Sequence, residues 1–298
     1  MDRALTARRL LTPPVGVAML VMAIWGATPV ATRIATDELE PLAIGVLRTV
    51  LAGVVAVPLL VSTSPRPPSG APARLLLAVS AAAGFVLFPV LYTIGQERTS
   101  AMHGVGILAA LPIFTGLYAA IVSRRRPGRW WLVGSGLALA GEAVIVAVRA
   151  GDGGEATVVG DLLVLGAALV VSAGYVAGAM LVPRGFSSAA TTYWGVALGA
   201  SVLAPVGLCL IALDGVPRAG ASAWVAVLFL AVVTSIVGYV GWYWALAHGG
   251  IVRIAPLQFL QPVSGLALAA LVLDERLTLP LAVGGAAVIG GVTIALRS

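Results

Sequence analysis

Polar and charged side chains are scarce in this sequence, so each one set inside an apolar run is a candidate for chemistry. Gln258 and Gln261 stand three residues apart beside Pro256 and Pro262. On a helix that spacing puts both amides on one face. Proline removes a backbone donor and frees an upstream carbonyl, so the segment should be kinked and rich in acceptors. Two amides and loose carbonyls can hold an amino, hydroxyl or carboxyl group of a solute. The competing reading is hydrogen-bonded glue between helices, worth about 0.6 kcal/mol per bond. Tyr239, Trp242 and Tyr243 form an aromatic stripe at i, i+3 and i+4. With Trp25 and Tyr175 they could wall a pocket for a partly apolar or cationic solute; they could equally be core packing or an interfacial belt.

Two charges lie deep in apolar runs. Arg48 falls about 9 Å from the end of its run at 1.5 Å per residue, and Glu142 falls at a similar depth. Arg48 could meet an anionic group of a solute, or pair with a carboxylate such as Glu142. Glu142 could carry a coupling proton, snorkel to the surface or pair. Gln96, Glu97, Arg98 and His103 cluster at a junction between runs; they read first as a solvated hairpin end, where Gln96 and His103 could gate a mouth. Arg33 and His248 read as interfacial.

The elements that hold these residues follow from composition. Of 298 residues 60% are hydrophobic and 10% charged, with a mean hydropathy of +1.04. Globular averages are roughly 45–50% and 25%. That polar surface cannot coat soluble cores, which excludes a soluble enzyme, a disordered chain and a disulfide scaffold; the single cysteine, Cys209, allows no intrachain disulfide. The solvent must be a lipid bilayer. Ten apolar runs are long enough for helical spans of about 20 residues: 15–36, 42–62, 74–96, 101–123, 130–148, 161–182, 191–213, 223–247, 251–273 and 279–296. The first exceeds the roughly 7–15 residues of a signal-peptide core and reads as an uncleaved span.

Every basic residue is arginine. With the N-terminus cytoplasmic, Arg3, Arg8, Arg9, Arg66, Arg74, Arg124, Arg125, Arg126, Arg129, Arg184, Arg253 and Arg297 fall inside, and Arg98, Arg149, Arg218 and Arg276 outside. Basic residues near span ends favour the cytoplasm, so both termini are expected there in the cell membrane. The basic charge is thus a topology signal and implies no nucleic-acid partner. Arginine in place of lysine points to a GC-rich bacterial genome.

A shift of 150 residues brings Gly134 and Gly141 onto Gly284 and Gly291, Pro112 onto Pro262, Trp25 onto Tyr175 and Tyr92 onto Trp242. The expected fold is therefore all-α and integral to the membrane, ten transmembrane helices as two inverted five-helix repeats, residues 1–150 and 151–298. Five spans per repeat invert the second half, and the turns at Arg124-Arg125-Arg126 and Asp274-Glu275-Arg276 carry the opposite charges that inversion requires.

Trp25-Gly26, Arg48, Tyr92, Pro112, Pro262 and Asp274-Glu275-Arg276-Leu277-Thr278, in this order and duplication, resemble the drug/metabolite transporter superfamily of EamA type, over the whole chain. The triple arginine departs from the acidic turn usual in that family after the fourth span. The resemblance implies a carrier whose first four spans of each repeat surround a central cavity, with the fifth and tenth outside. The residues expected to line that cavity are Trp25, Arg48, Tyr92, Tyr175, Tyr239, Tyr243, Gln258 and Gln261.

The expected function is secondary active transport of a small organic metabolite (amino-acid-like, nucleobase-like or drug-like), exported in exchange for protons by alternating access. Its partners would be the solute, the bilayer and a coupling proton, with no cofactor or metal. A lysine-free chain has no Walker phosphate loop. The rivals are an intramembrane enzyme, for which the sequence offers neither a GxSxG elbow nor a His/Cys cluster, and a passive channel or scaffold.

Overall fold

The computed structural model describes residues 12–96, 98, 107–124, 126–149, 157–272 and 278–297, all of them helix or connecting turn, with no strand among them. Seven helical stretches are long and apolar enough to cross a membrane: Pro13–Thr36, Pro41–Thr63, Ala71–Gly95, Arg129–Val148, Val158–Arg184, Ser188–Asp214 and Ala221–Gly249. Two shorter apolar helices, Leu111–Ser123 and Leu279–Ala295, accompany them.

Within these stretches the helices are α1 (Pro13–Gly26), α2 (Thr28–Thr36), α3 (Pro41–Thr63), α4 (Ala71–Ala81), α5 (Phe88–Gln96), α6 (Leu111–Ser123) and α7 (Arg129–Arg149). Then follow α8 (Val158–Leu181), α9 (Ser188–Asp214), α10 (Ala221–Leu228), α11 (Gly238–Gly249), α12 (Ile251–Ile254), α13 (Leu260–Val272) and α14 (Leu279–Ala295). Local chemistry sets the ends. Pro13 and Pro41 open α1 and α3, where the missing donor costs nothing. Thr157 and Ser187 cap α8 and α9, their hydroxyls accepting from Gly160 N and Ala190 N, each at 3.1 Å. Apolar side chains such as Leu20, Val54, Ile121 and Leu208 point outward, as helices solvated by lipid require.

Two long stretches are not plain α-helix. Ala82–Leu87, between α4 and α5, and Phe229–Val237, between α10 and α11, are π-helical, with one extra residue in the turn. Moved by 150 residues, the first segment falls inside the second. In the second, Thr234 Oγ1 and Ser235 Oγ both donate back to Leu230 O, at 2.5 and 2.9 Å. Such back-bonding competes with the backbone ladder and widens it. The expected ninth span is also broken, into α12, a 3₁₀ turn at Ala255–Phe259 and α13. Pro256 opens the 3₁₀ turn, and Pro262 lies in the first turn of α13. The prolines therefore start new helical pieces where the sequence suggested one kinked helix.

Helices α7 and α14 pack backbone to backbone. A Cβ built on Gly134 would overlap Gly291 O, and one on Gly141 would lie 2.6 Å from Gly284 O. The low number of one helix meets the high number of the other, so the two run antiparallel. These are the four glycines singled out by the 150-residue shift, and small residues let the helix axes approach this closely.

Candidate functional site

The site is built around Trp25, at the last turn of α1. Its indole stacks on Tyr175 of α8 at 5.6 Å between ring centroids and 22° between planes. Tyr239 and Trp242 of α11 close on the same indole at 5.6 and 5.7 Å. Tyr243 joins through Tyr239, edge to face at 5.7 Å, and Phe85 lies 4.6 Å from Tyr239. Four helical stretches thus contribute to one aromatic cluster, with Trp25, Tyr175, Tyr239 and Tyr243 all buried. Aromatic pairs in these geometries add about 0.5–1.5 kcal/mol beyond area burial.

Glycines make the room. Gly238 has Trp25 Nε1 at 2.5 Å from where its Cβ would stand, and Gly178 leaves the corresponding space to the ring of Tyr243. Three of the polar tips, on Trp25, Tyr239 and Tyr243, are tied off by hydrogen bonds. Trp25 Nε1 donates to Thr234 O at 3.0 Å, and Tyr239 OH donates to Gly84 O at 3.3 Å. Ser80 Oγ and Tyr243 OH share a hydrogen bond of 2.8 Å. Both π-helical segments therefore present carbonyls to the aromatic residues.

Arg48, on α3, is half-buried beside this cluster. Its Nη2 donates to Thr234 Oγ1 at 3.1 Å and to Ser235 Oγ at 3.2 Å. The guanidinium also lies within electrostatic reach of Tyr239, Tyr175 and Tyr92. Tyr92, on α5, is half-buried and stacks on Phe88 at 5.6 Å. Among the described residues no carboxylate pairs with Arg48; its partners are neutral hydroxyls. The expected alternative of an Arg48–Glu142 pair is therefore corrected. Glu142 is on α7, 2% exposed, and its Oε2 has no hydrogen-bond partner. Burial also removes the snorkelling reading for it.

Gln261 lies at the start of α13 and reaches the cluster: its Nε2 donates to Trp25 O at 3.4 Å. Gly26 lets α13 come this close, since a Cβ there would sit 2.8 Å from Gly265 N. Gln258 is buried in the 3₁₀ turn with Oε1 unpartnered. Trp242 is likewise buried with Nε1 unpartnered, so it belongs to the core and not to an interfacial belt. His248 is exposed and stacks on Trp244 at 4.5 Å, as an interfacial residue should. His103 lies outside the described residues. Gln96 is the last residue of α5.

Sequence reasoning missed Thr234, Ser235, Ser80 and Phe85. The adjacent hydroxyls of Thr234 and Ser235, alone in a long apolar run, were the available signal.

The EamA-like transporter family model matches the chain twice, over residues 13–147 and 158–297. The chain belongs to the EamA-like transporter family. This EamA-like transporter is 31% identical over 276 residues to "Uncharacterized transporter YdeK" of Bacillus subtilis, covering 91% of this chain and 92% of the relative. It is 28% identical over 270 residues to the "Probable amino-acid metabolite efflux pump" of Escherichia coli, covering 88% and 87%. It is 28% identical over 292 residues to the "Probable terminal-alkyne amino-acid exporter" of Streptantibioticus cattleyicolor, covering 96% and 94%. A solved crystal structure with 19% identity superposes at a TM-score of 0.79 over 95% of this chain and 96% of that one, a likeness of fold. The EamA-like transporter is accordingly a multi-pass membrane protein with a small-molecule solute.

Proposed function

We propose that this transporter is a ten-span secondary carrier that exports an amino-acid-like solute by alternating access between two inverted five-span repeats. The observation that carries the solute class is the state of Arg48. A guanidinium held in a bilayer by two neutral hydroxyls, with no carboxylate partner among the described residues, has an unmet demand for an anion. A solute carboxylate meets it. The aromatic cluster then supplies apolar surface and ring faces for the rest of the molecule. The names of the Escherichia coli and Streptantibioticus relatives support an amino-acid-like solute and outward transport.

Several contacts support the inverted arrangement. Gly134 meets Gly291 while Gly141 meets Gly284, the reciprocal pairing that a two-fold relation between halves generates. Trp25 and Tyr175, equivalent under the same shift, stack on each other. The arginine distribution supports cytoplasmic termini. In this reading Gln258, Gln261 and Tyr92 line the solute path with the cluster, Gln96 and His103 gate its outer mouth, and Glu142 carries the exchanged proton.

Counterflow in proteoliposomes tests the proposal. Labelled amino acids should exchange against unlabelled solute, and Arg48→Gln should slow carboxylated solutes about 10- to 100-fold, the loss of one charged hydrogen-bonding partner. Amidated analogues should move at similar rates through both proteins. Equal slowing of acid and amide would remove the carboxylate role, and absence of any counterflow would remove the carrier.

A further inference from the structure

A second polar site lies at the end of the bundle where α3 joins α4 and α8 joins α9, about one helical turn along α8 from the Gly178–Tyr243 contact of the aromatic cluster. A cleft of about 420 Å³ is lined there by Arg66, Pro68, Pro72, Leu181, Arg184 and Phe186 among others, and none of its lining residues is acidic. Its frame is built. Trp194 Nε1 donates to Pro65 O at 3.2 Å, which ties the proline-rich connection to α9. Arg74 Nε donates to Pro68 O at 3.4 Å across the same connection. Buried Leu77, Leu181, Phe186 and Ala190 form a small core beneath it. Gly185, at φ +81°, turns the chain between α8 and α9 so that Arg184 stays at the rim.

The two lining arginines keep most of their donors for a ligand. Arg184 spends one on Met180 O, at 2.6 Å, and Arg66 has no hydrogen-bond or ion-pair partner among the described residues. Planar guanidinium groups match phosphate oxygens in charge and geometry. The position selects the source of phosphate. The connections join membrane-spanning helices, and Val61 and Leu75, which flank the cleft in sequence, are 70% and 65% exposed, offering apolar surface for acyl chains beside a basic headgroup seat.

We infer that this cleft is a binding site for the phosphodiester headgroup of an anionic phospholipid, held between Arg66 and Arg184. The inference rests on the two arginines and the cleft alone, so it stands or falls independently of the proposed transport function.

Native mass spectrometry of the full-length protein in detergent, with phosphatidylglycerol or phosphatidylcholine added, is the test. Wild-type protein should retain phosphatidylglycerol preferentially. Each arginine should account for about a fivefold share of that preference, so that Arg66→Gln weakens it and Arg66→Gln/Arg184→Gln removes it. Because Arg184 also bonds its own helix, the single Arg66→Gln variant, checked for helix content, keeps the result readable if the double variant misfolds. A preference unchanged in Arg66→Gln would overturn the site. Thermal stabilisation by inorganic phosphate equal to that by phosphatidylglycerol would overturn the lipid as its source.

Discussion

The indole of Trp25 lies stacked on the phenol ring of Tyr175, 5.6 Å away and 22° from parallel. The two residues occupy equivalent places 150 positions apart, on α1 and α8, and they meet where both halves of the chain converge. That contact brings the halves to a shared aromatic centre, with Arg48 hydrogen-bonded to the π-helical segment that also receives the Trp25 N–H.

Two Trp25 variants separate ring from donor. Trp25→Phe keeps a ring but loses the bond to Thr234 O and should cost about 1 kcal/mol of stability. Trp25→Ala also leaves a void among Tyr175, Tyr239 and Trp242, and should cost about 3–5 kcal/mol. Thermal unfolding in detergent ranks the two; equal losses would mean that the indole bond, and not the stacking, dominates.

Glu142→Gln should uncouple exchange from the proton gradient. Wild-type export from vesicles should accelerate when protons are more concentrated on the receiving side. The variant, with no exchangeable proton at position 142, should show solute counterflow without that acceleration. Gradient drive retained in Glu142→Gln assigns the proton to another group.

At the α7–α14 contact, Gly141→Leu should destabilise by about 1–3 kcal/mol, the cost of overpacking. Gly136 is on the same helix with nothing within 4 Å of its Cβ position, so Gly136→Leu should leave the melting temperature unchanged. Parallel melting curves check the pair.

Cysteine labelling tests the expected topology. With Cys209 replaced by serine, a cysteine at Arg126 should react with an impermeant reagent from the cytoplasmic face, and one at Thr278 from the opposite face. Labelling of both from one side would reject the inverted repeats.

Much of this molecule was legible in its residues. Apolar run length located the long helices, and the glycine repeat located the α7–α14 contact, because close helix packing demands small residues at fixed spacing. The aromatic stripe on α11 and the equivalence of Trp25 and Tyr175 likewise led to one cluster. The π-helical segments were not legible: an apolar run has the same composition whether its turn holds the usual number of residues or one more. Arg48 was misread in part. A charge suggests an opposite charge, whereas its partners are Thr234 and Ser235, hydroxyls 186 and 187 residues distant. Glu142 shows the same limit, since depth along a helix does not say which way the side chain faces, and burial on α7 was invisible until the neighbouring helix was in place.

The glycine contact between α7 and α14 has a consequence for how the chain holds together. Each half supplies one jaw of a clasp whose closest approach is main chain on main chain, with side chains such as Ile145 packed beside it. A polypeptide severed between Arg149 and Thr157 would still carry both jaws, one on each fragment. Association of two such fragments would then be expected to depend on Gly134, Gly141, Gly284 and Gly291 more than on the covalent link.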